Sequence, residues 1–380
     1  MTSKTSIPIL IIEDNPANQK VLESVCLAMQ IEYHMAENGK IAMEFMAETQ
    51  YNVFVVDLMM PVMDGKTFIQ ELKKINPNAI ILVQTALDVP DTIIDIMKLG
   101  VFDYIVKPID IDLFKQVILK ALDYARLKIE EINNLKRFRK EIAKIREIQV
   151  SQLPNITLEG FDISCSVLPA EDLSGDFLTG YYLNASEYLL TLCDVAGHGI
   201  ASSYVGADIR SIFRTESAKY EKISDILSGV NSVLVEEINN TNYLSSALLC
   251  TLSVKDYSCS LVSAGHPPAI YFNAKNKKLE FIKPEGTLLG FTTGVTYQEK
   301  SFSMEEGDIL LLYTDGITEA RGGDVMSPGD MFELNRLSEA LLECVGEKSN
   351  DIILHILHEI YDFTEYMGQE DDMTLVCIKR

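Results

Sequence analysis

LDYARLKIEEINNLKRFRKEIAKIREIQVSQL, residues Leu122–Leu153, separates two blocks of unlike pattern and decides how the chain is divided. It holds no Gly or Pro before Pro154 and is filled with strong helix formers. Its apolar residues recur at steps of three and four: Leu122, Ala125, Ile129 and Ile132, then Leu135, Phe138, Ile142 and Ile145. Between Ile132 and Leu135 the step is three where a steady heptad needs four, so the stripe slips in phase. The pattern fits a long surface helix packed on its own domain, and fits better a helical connector with two short seams facing different surfaces, which pairs with a second copy and carries a signal. The chain therefore divides into a first domain over 1–121, a connector over 122–153 and a second domain over 154–380.

The 380 residues are enough for two or three domains with separate cores, and 47% hydrophobic with 23% charged residues is an ordinary globular composition. A formal net charge of −23 argues against nucleic acid as a partner. The connector is locally basic through Lys136, Arg137, Arg139, Lys140, Lys144 and Arg146, which serve as a solvated face or as a docking patch for an acidic protein. The seven cysteines show no metal-ligand spacing and read as core residues in a reducing cytosol. No apolar run approaches the ~18 residues of a membrane span, and Ile7–Ile12 runs straight into Glu13-Asp14 as a buried strand does. The expected location is cytoplasmic, without membrane attachment.

In the first block, β-rich runs at Ile7–Ile12, Val53–Val56, Ile80–Val83 and Tyr104–Val106 alternate with helical patterns at Pro16–Met29, Lys40–Glu48, Lys66–Ile75, Asp91–Leu99 and Ile111–Ala121. This predicts an α/β doubly wound parallel sheet with its site at the carboxyl ends of the strands. Glu13, Asp14, Asp57 and Lys107 fall at those ends. Three converging carboxylates call for a hard cation with oxygen ligands, Mg2+ above all, and a carboxylate facing it can take a phosphoryl group while a lysine neutralises the added charge. Capping of helix N-termini would account for one or two of these acids, but not for Lys107 as well.

With Asp57-Leu58-Met59-Met60-Pro61, Asp64-Gly65, Thr85-Ala86 and Asp103-Tyr104-Ile105-Val106-Lys107-Pro108, the block resembles a two-component receiver domain over its whole length. The resemblance implies that Asp57 is the phosphoacceptor, and that Glu13, Asp14, Asp57 and the Met59 carbonyl surround Mg2+. Thr85 would bind the phosphoryl group, Tyr104 would swing inward as the switch, and Lys107-Pro108 is a candidate cis peptide. The donor would be a sensor histidine kinase or a phosphorelay protein.

The second block reads as a β-rich sandwich with added helices, the α+β class. Strands are expected at Phe161–Leu168, Tyr188–Val195, Ala247–Val254, Cys259–Ala264 and Ile309–Thr314, and helices at Ile200–Ser217, Ile223–Asn239 and Asn350–Tyr366. Asn273–Lys278 reads as a hairpin tip and Arg321–Gly329 as a mobile loop. Asp176, Asp194, Asp315 and the pair Asp371-Asp372 stand at strand ends or tight turns beside small residues. A single Asp-Gly pair is an ordinary turn, but four buried carboxylates are costly unless divalent metals gather them. All-oxygen ligation favours Mg2+ or Mn2+, and two such ions ~3.5–4 Å apart would activate a shared water and clamp a phosphate.

Together with Ser263-Ala264-Gly265-His266-Pro267-Pro268 and Leu289-Gly290, these motifs resemble the SpoIIE/RsbU-type branch of the metal-dependent (PPM) protein phosphatases from Ile148-Gln149 to the C-terminus. The resemblance implies that Asp194 bridges two metals with help from the Val195 carbonyl. Asp176 would hold the second metal, and Asp315 and Asp371 the first. It also implies a hydrolase of phosphoserine or phosphothreonine on a STAS-type anti-sigma antagonist. Two positions depart from the pattern: Thr179, where many relatives carry an aspartate, and Glu333, where a glycine is common after Phe332. No arginine is assignable to substrate phosphate, and His198 and His266 read as hydrogen-bonded turn residues. The rival reading is an adaptor whose phosphatase fold has lost catalysis and binds a sigma-factor regulator. A transcription factor is disfavoured by the lack of a basic helix-turn-helix segment.

Overall fold

A computed structural model of the chain describes residues 7–86, 94, 97–238, 244–322, 330–365 and 368–380. It divides into two compact units, Met1–Arg139 and Lys140–Arg380. In the first, strands β1 (Ile9–Ile12), β2 (Tyr33–Ala36), β3 (Val53–Asp57), β4 (Ile80–Thr85) and β5 (Asp103–Val106) form one parallel sheet in the order β2-β1-β3-β4-β5. Helices α1 (Pro16–Ala28), α2 (Gly39–Glu48) and α3 (Gly65–Ile75) begin where the sequence supplies caps. The Asn15, Asn38 and Asp64 side chains accept hydrogen bonds from the first free amides, and Pro16 sits at the helix start. Both sheet faces are covered, so β1, β3 and β4 are buried throughout. The helix expected over Asp91–Leu99 lies mostly outside the described residues.

The helix expected to close this block does not stop near Ala121. α4 runs unbroken from Ile111 to Ser151, so the connector is the receiver's last helix prolonged. Beyond Ala125 its apolar stripe is largely uncovered: Leu135, Phe138 and Ile148 are 53%, 56% and 54% exposed, while Ile142 is buried.

The second unit is a sandwich of two five-stranded sheets. One has the order β13-β10-β9-β8-β7 and contains β7 (Phe177–Tyr182), β8 (Glu187–Val195), β9 (Ser245–Ser253), β10 (Ser258–Ala264) and β13 (Glu299–Ser303). The other has the order β12-β11-β14-β15-β6 and contains β6 (Asp162–Leu168), β11 (Ala269–Asn273), β12 (Lys278–Ile282), β14 (Ile309–Tyr313) and β15 (Met373–Lys379). All pairings are antiparallel. Leu190, Leu192, Leu248, Leu312 and Val376 fill the space between the sheets. Helices α5 (Ile200–Glu216) and α6 (Ile223–Ile238) cover the first sheet through Ile209, Phe213 and Val230. The short α7 (Asp315–Thr318), α8 (Glu333–Glu343) and α9 (Ser349–Phe363) cover the second through Ile317, Leu337 and Ile356. Glu333 opens α8 with φ of 59°, a left-handed conformation that explains why glycine is common there. The loop expected over Arg321–Gly329 lies outside the described residues from 323 onward.

Candidate functional site

In the receiver unit, β1 and β3 are neighbours, and each ends in an acid: Glu13 follows Ile12, and Asp57 closes β3. Glu13 is fully buried, Asp57 nearly so, and Asp14 exposed. One carboxylate oxygen from each lies within 4.8 Å of the other two. Lys107 reaches in from beyond β5, its Nζ 2.7 Å from Glu13 Oε2 and 2.6 Å from Asp57 Oδ2. Burial lowers the ammonium's pKa, but hydrogen bonds and charge from Asp57 and Glu13 outweigh it and hold Lys107 above its ordinary value. Met59 N–H donates to Asp57 Oδ1 at 3.2 Å. Thr85 is buried at the end of β4, Tyr104 is half-buried on β5, and the Lys107-Pro108 peptide is cis. A Cβ at Gly65 would stand 2.2 Å from the Asp57 carbonyl oxygen, so only glycine lets α3 start this close to the acceptor strand. Three carboxylates against one ammonium leave a surplus of negative charge in an all-oxygen donor set, which fits Mg2+.

In the second unit, strand register places the four acids at one edge of the sandwich. Asp194 follows Leu190 and Leu192 on the inter-sheet side of β8. Asp176 leads into β7, whose Phe177 pairs with Cys193. Asp315 follows β14 and Asp371 precedes β15, and those strands pair at Tyr313 with Leu375. A Cβ at Gly316 would lie 2.1 Å from the Asp372 carbonyl oxygen, so glycine permits the two turns to touch. Asp176 is buried, and its Oδ2 accepts from Thr314 Oγ1 at 2.8 Å and Thr374 Oγ1 at 2.7 Å.

The electrostatics are those of crowded anions. Burial, followed by the charges of Asp315, Asp371 and Asp372, raises Asp194 to about 7. Burial and then the Asp194 charge push Asp176 well above the carboxylate range, and burial raises Asp371. Among the described residues these acids do not close to the 4.8 Å mutual spacing of the receiver trio. They share a repulsive field and an all-oxygen donor set, which fits divalent cations such as Mg2+ or Mn2+. The residues that would hold such ions are Asp176, Asp194, Asp315, Asp371 and the buried Val195 at the end of β8.

Sequence named some of the surrounding residues without a role and passed over others. Asp372 is a structural neighbour: its Oδ1 accepts from Ala170 N–H at 2.8 Å and its Oδ2 from Gly175 N–H at 2.6 Å, tying down the turn that carries Asp176. Asp371, half-buried, has only its Oδ1 engaged, accepting from Asp372 N–H at 2.8 Å, so it keeps one carboxylate oxygen outside the backbone hydrogen bonds. Thr314 and Thr374 are the hydroxyls that seat Asp176, and only strand pairing brings them together. Gln149, in the last turn of α4, donates from Nε2 to Ser174 O at 3.0 Å and accepts from Ser174 N–H at 3.4 Å, two residues before Asp176. His266 is fully buried against Ser246 Oγ at 2.6 Å, and burial drops it to about 3, so it remains neutral. His198 is more open, with Nδ1 2.8 Å from Glu171. Thr179 lies on the helix-facing side of β7, with Phe177 and Tyr181.

Fold and sites together define a class: a receiver domain whose last helix is prolonged into a PP2C-like phosphatase fold. The profile of the receiver domain of response regulators matches residues 9–119, and that of stage II sporulation protein E (SpoIIE) matches residues 184–380. The chain belongs to the SpoIIE family. It is 22% identical over 223 residues to the phosphoserine phosphatase RsbU of Bacillus subtilis, covering 58% of this chain and 64% of that protein. It is 26% identical over 271 residues to protein IcfG of Synechocystis, covering 64% of this chain and 42% of that one. The chain thus spans less than two thirds of these relatives. The SiaA-PP2C domain of Pseudomonas aeruginosa shares the fold with a TM-score of 0.58 at 17% identity, covering 65% of this chain and 98% of that domain. Among the described residues no helix is long and apolar enough to cross a membrane.

Proposed function

We propose that the chain is a response regulator whose output is a metal-dependent phosphoserine/phosphothreonine protein phosphatase. The observation that carries this is Asp194, a buried carboxylate raised to about 7 by burial and by Asp315, Asp371 and Asp372 at one sandwich edge. Bound Mg2+ or Mn2+ would relieve that repulsion and supply Lewis-acid activation of water and substrate phosphate. The chain's own residues position the site: Thr314 and Thr374 hold Asp176, Asp372 fixes its turn, and Gly316 lets Asp315 approach Asp371. In the receiver, Asp57 accepts a phosphoryl group from a histidine kinase or phosphorelay donor. Glu13, Asp14, Asp57 and Met59 would hold Mg2+, Lys107 neutralises the product, and Thr85 and Tyr104 read it out. Likeness to the phosphoserine phosphatase RsbU supports phosphoserine as the group hydrolysed, and the motif resemblance to that branch extends the reading to a STAS-type anti-sigma antagonist as the substrate.

The same reading takes α4 as the route between the activities. Its uncovered Leu135, Phe138 and Ile148 suit a helix pairing with a second copy in a homodimer, and Gln149 ties its last turn to the strand entry carrying Asp176. The test is Mn2+-dependent phosphate release from a phosphoseryl protein substrate, with and without Asp57 phosphorylated and with Asp194→Asn as control. Release that Asp194→Asn abolishes is expected. A parent chain inactive at every metal level while still binding that substrate would favour the adaptor.

A further inference from the structure

A second concave site in the phosphatase unit is lined by cations. Arg210 and Arg214 lie on successive turns of α5 and, with Thr179 on β7, Ser211 on α5 and Gln152 just past α4, border a cavity of about 360 Å³. Arg210 is half-buried, and both its burial and the neighbouring Arg214 charge disfavour its cationic form. Among the described residues neither arginine has an ion-pair partner, in a chain with 56 acidic residues. Arg214 is exposed, so water screens part of its charge, but the two like charges one turn apart still repel, and an anion between them would relieve that repulsion at the half-buried Arg210.

The cavity lies across β7 from the carboxylate cluster, although Arg210 and Gln152 also border a neighbouring cavity that reaches Asp176. Thr179 is three residues along an extended chain from Asp176, ~10 Å away, and on the opposite face of β7 from the inter-sheet core. α5 meets the turn before Asp176 at Gly206, and Arg210 and Arg214 lie four and eight residues beyond it, ~6 and ~12 Å along the helix. Guanidinium forks flanked by hydroxyl and amide donors match the oxygens of a tetrahedral dianion.

We propose that Arg210 and Arg214, with Thr179, Ser211 and Gln152, form a metal-independent binding site for a phosphate group, distinct from the site of hydrolysis. The group arrives either as free inorganic phosphate or as a phosphate ester on a peptide, and the oxygens recognised are the same. Because Gln152 closes the cavity just past α4, the bound anion also bridges the connector's end to α5.

The test uses the full chain stripped with EDTA, so that no metal holds phosphate at the carboxylates. Inorganic phosphate and a phosphoseryl peptide are titrated separately by calorimetry at about 0.15 M salt, where loose surface attraction is screened. One saturable site tighter than about 1 mM is expected with at least one of them. If inorganic phosphate binds, the free anion is the ligand; if only the peptide binds, the ester is. Either form must bind at least tenfold more weakly to Arg210→Gln/Arg214→Gln and to Thr179→Asp, and unchanged to Asp194→Asn. Thr179→Asp retains both arginines, so loss there together with native thermal unfolding separates site loss from misfolding. No saturable binding of either ligand, or binding that survives in both site variants, overturns the proposal. Because no hydrolysis is measured, failure here is distinguishable from failure of the phosphatase reading.

Discussion

Asp194→Asn should stabilise the metal-free chain, although it sits at the centre of the proposed hydrolytic site. Asp194 titrates at about 7 in the fold against an ordinary 3.8, because of burial and then of its three carboxylate neighbours. Below pH ~4 both folded and unfolded chains hold this proton. Between pH ~4 and ~7 the unfolded chain releases it while the folded chain keeps it. The folded state then binds more protons, and stability falls as pH rises through that window. Above pH ~7 the full penalty applies: about three pKa units at 1.36 kcal/mol each, ~4 kcal/mol, reduced to ~2–4 kcal/mol because the acids titrate together. Asn removes that charge at little change in shape. In EDTA the melting temperature of Asp194→Asn should therefore exceed the parent's by ~5–15 °C at pH 8, with the gap narrowed to about a quarter of that at pH 4.5. Saturating Mn2+ should reverse the order by stabilising the parent far more than the variant. Differential scanning fluorimetry over pH, with and without metal, reads all of this without any substrate. A gap independent of pH, or a parent that is the more stable protein in EDTA at pH 8, would refute the account of these carboxylates as a strained metal centre.

Three further outcomes are expected. Asp57→Asn should keep the receiver folded and lose hydroxylamine-sensitive labelling by acetyl phosphate; undiminished labelling would move the acceptor elsewhere. Gly316→Ala places a methyl group 2.1 Å from the Asp372 carbonyl oxygen and should cost about 1–3 kcal/mol in urea unfolding, together with most phosphate release. One residue inserted after Asn134 should restore heptad phase in α4 and uncouple phosphate release from Asp57 phosphorylation with both units still folded. Retained coupling, or a monomer by light scattering in both states, would reject the helical route.

The receiver was legible because parallel strands covered on both faces must be apolar throughout. β1, β3 and β4 stand out as runs, and the acids that end them are placed by the topology alone. Edge strands gave no such signal. β2 is a four-residue strand with one buried position, and β13 is Glu-Lys-Ser-Phe-Ser with none, so pairing rather than composition makes them strands. α8 was missed because it opens at Glu333 in a left-handed conformation without a side-chain cap, removing the usual start signal.

In the second unit the acids could be found in sequence, but their division of labour could not. Asp371 and Asp372 are adjacent and chemically identical, yet one has both oxygens committed to the backbone of Ala170 and Gly175, about two hundred residues earlier, while the other is half-open. A long-range contact assigned those roles, and such contacts leave no local pattern. Thr314, Thr374 and Gln149 are of the same kind: ordinary polar residues in sequence, each made specific by the element it meets in space. The strongest local prediction, the phase slip after Ile132, is still written in an unbroken 41-residue helix. The slip therefore alters which face of α4 presents its apolar residues, not whether the backbone stays helical. The last turn of that helix carries Gln149, bonded to the turn that seats Asp176, so the proposed route ends on a specific contact that no local sequence pattern announces.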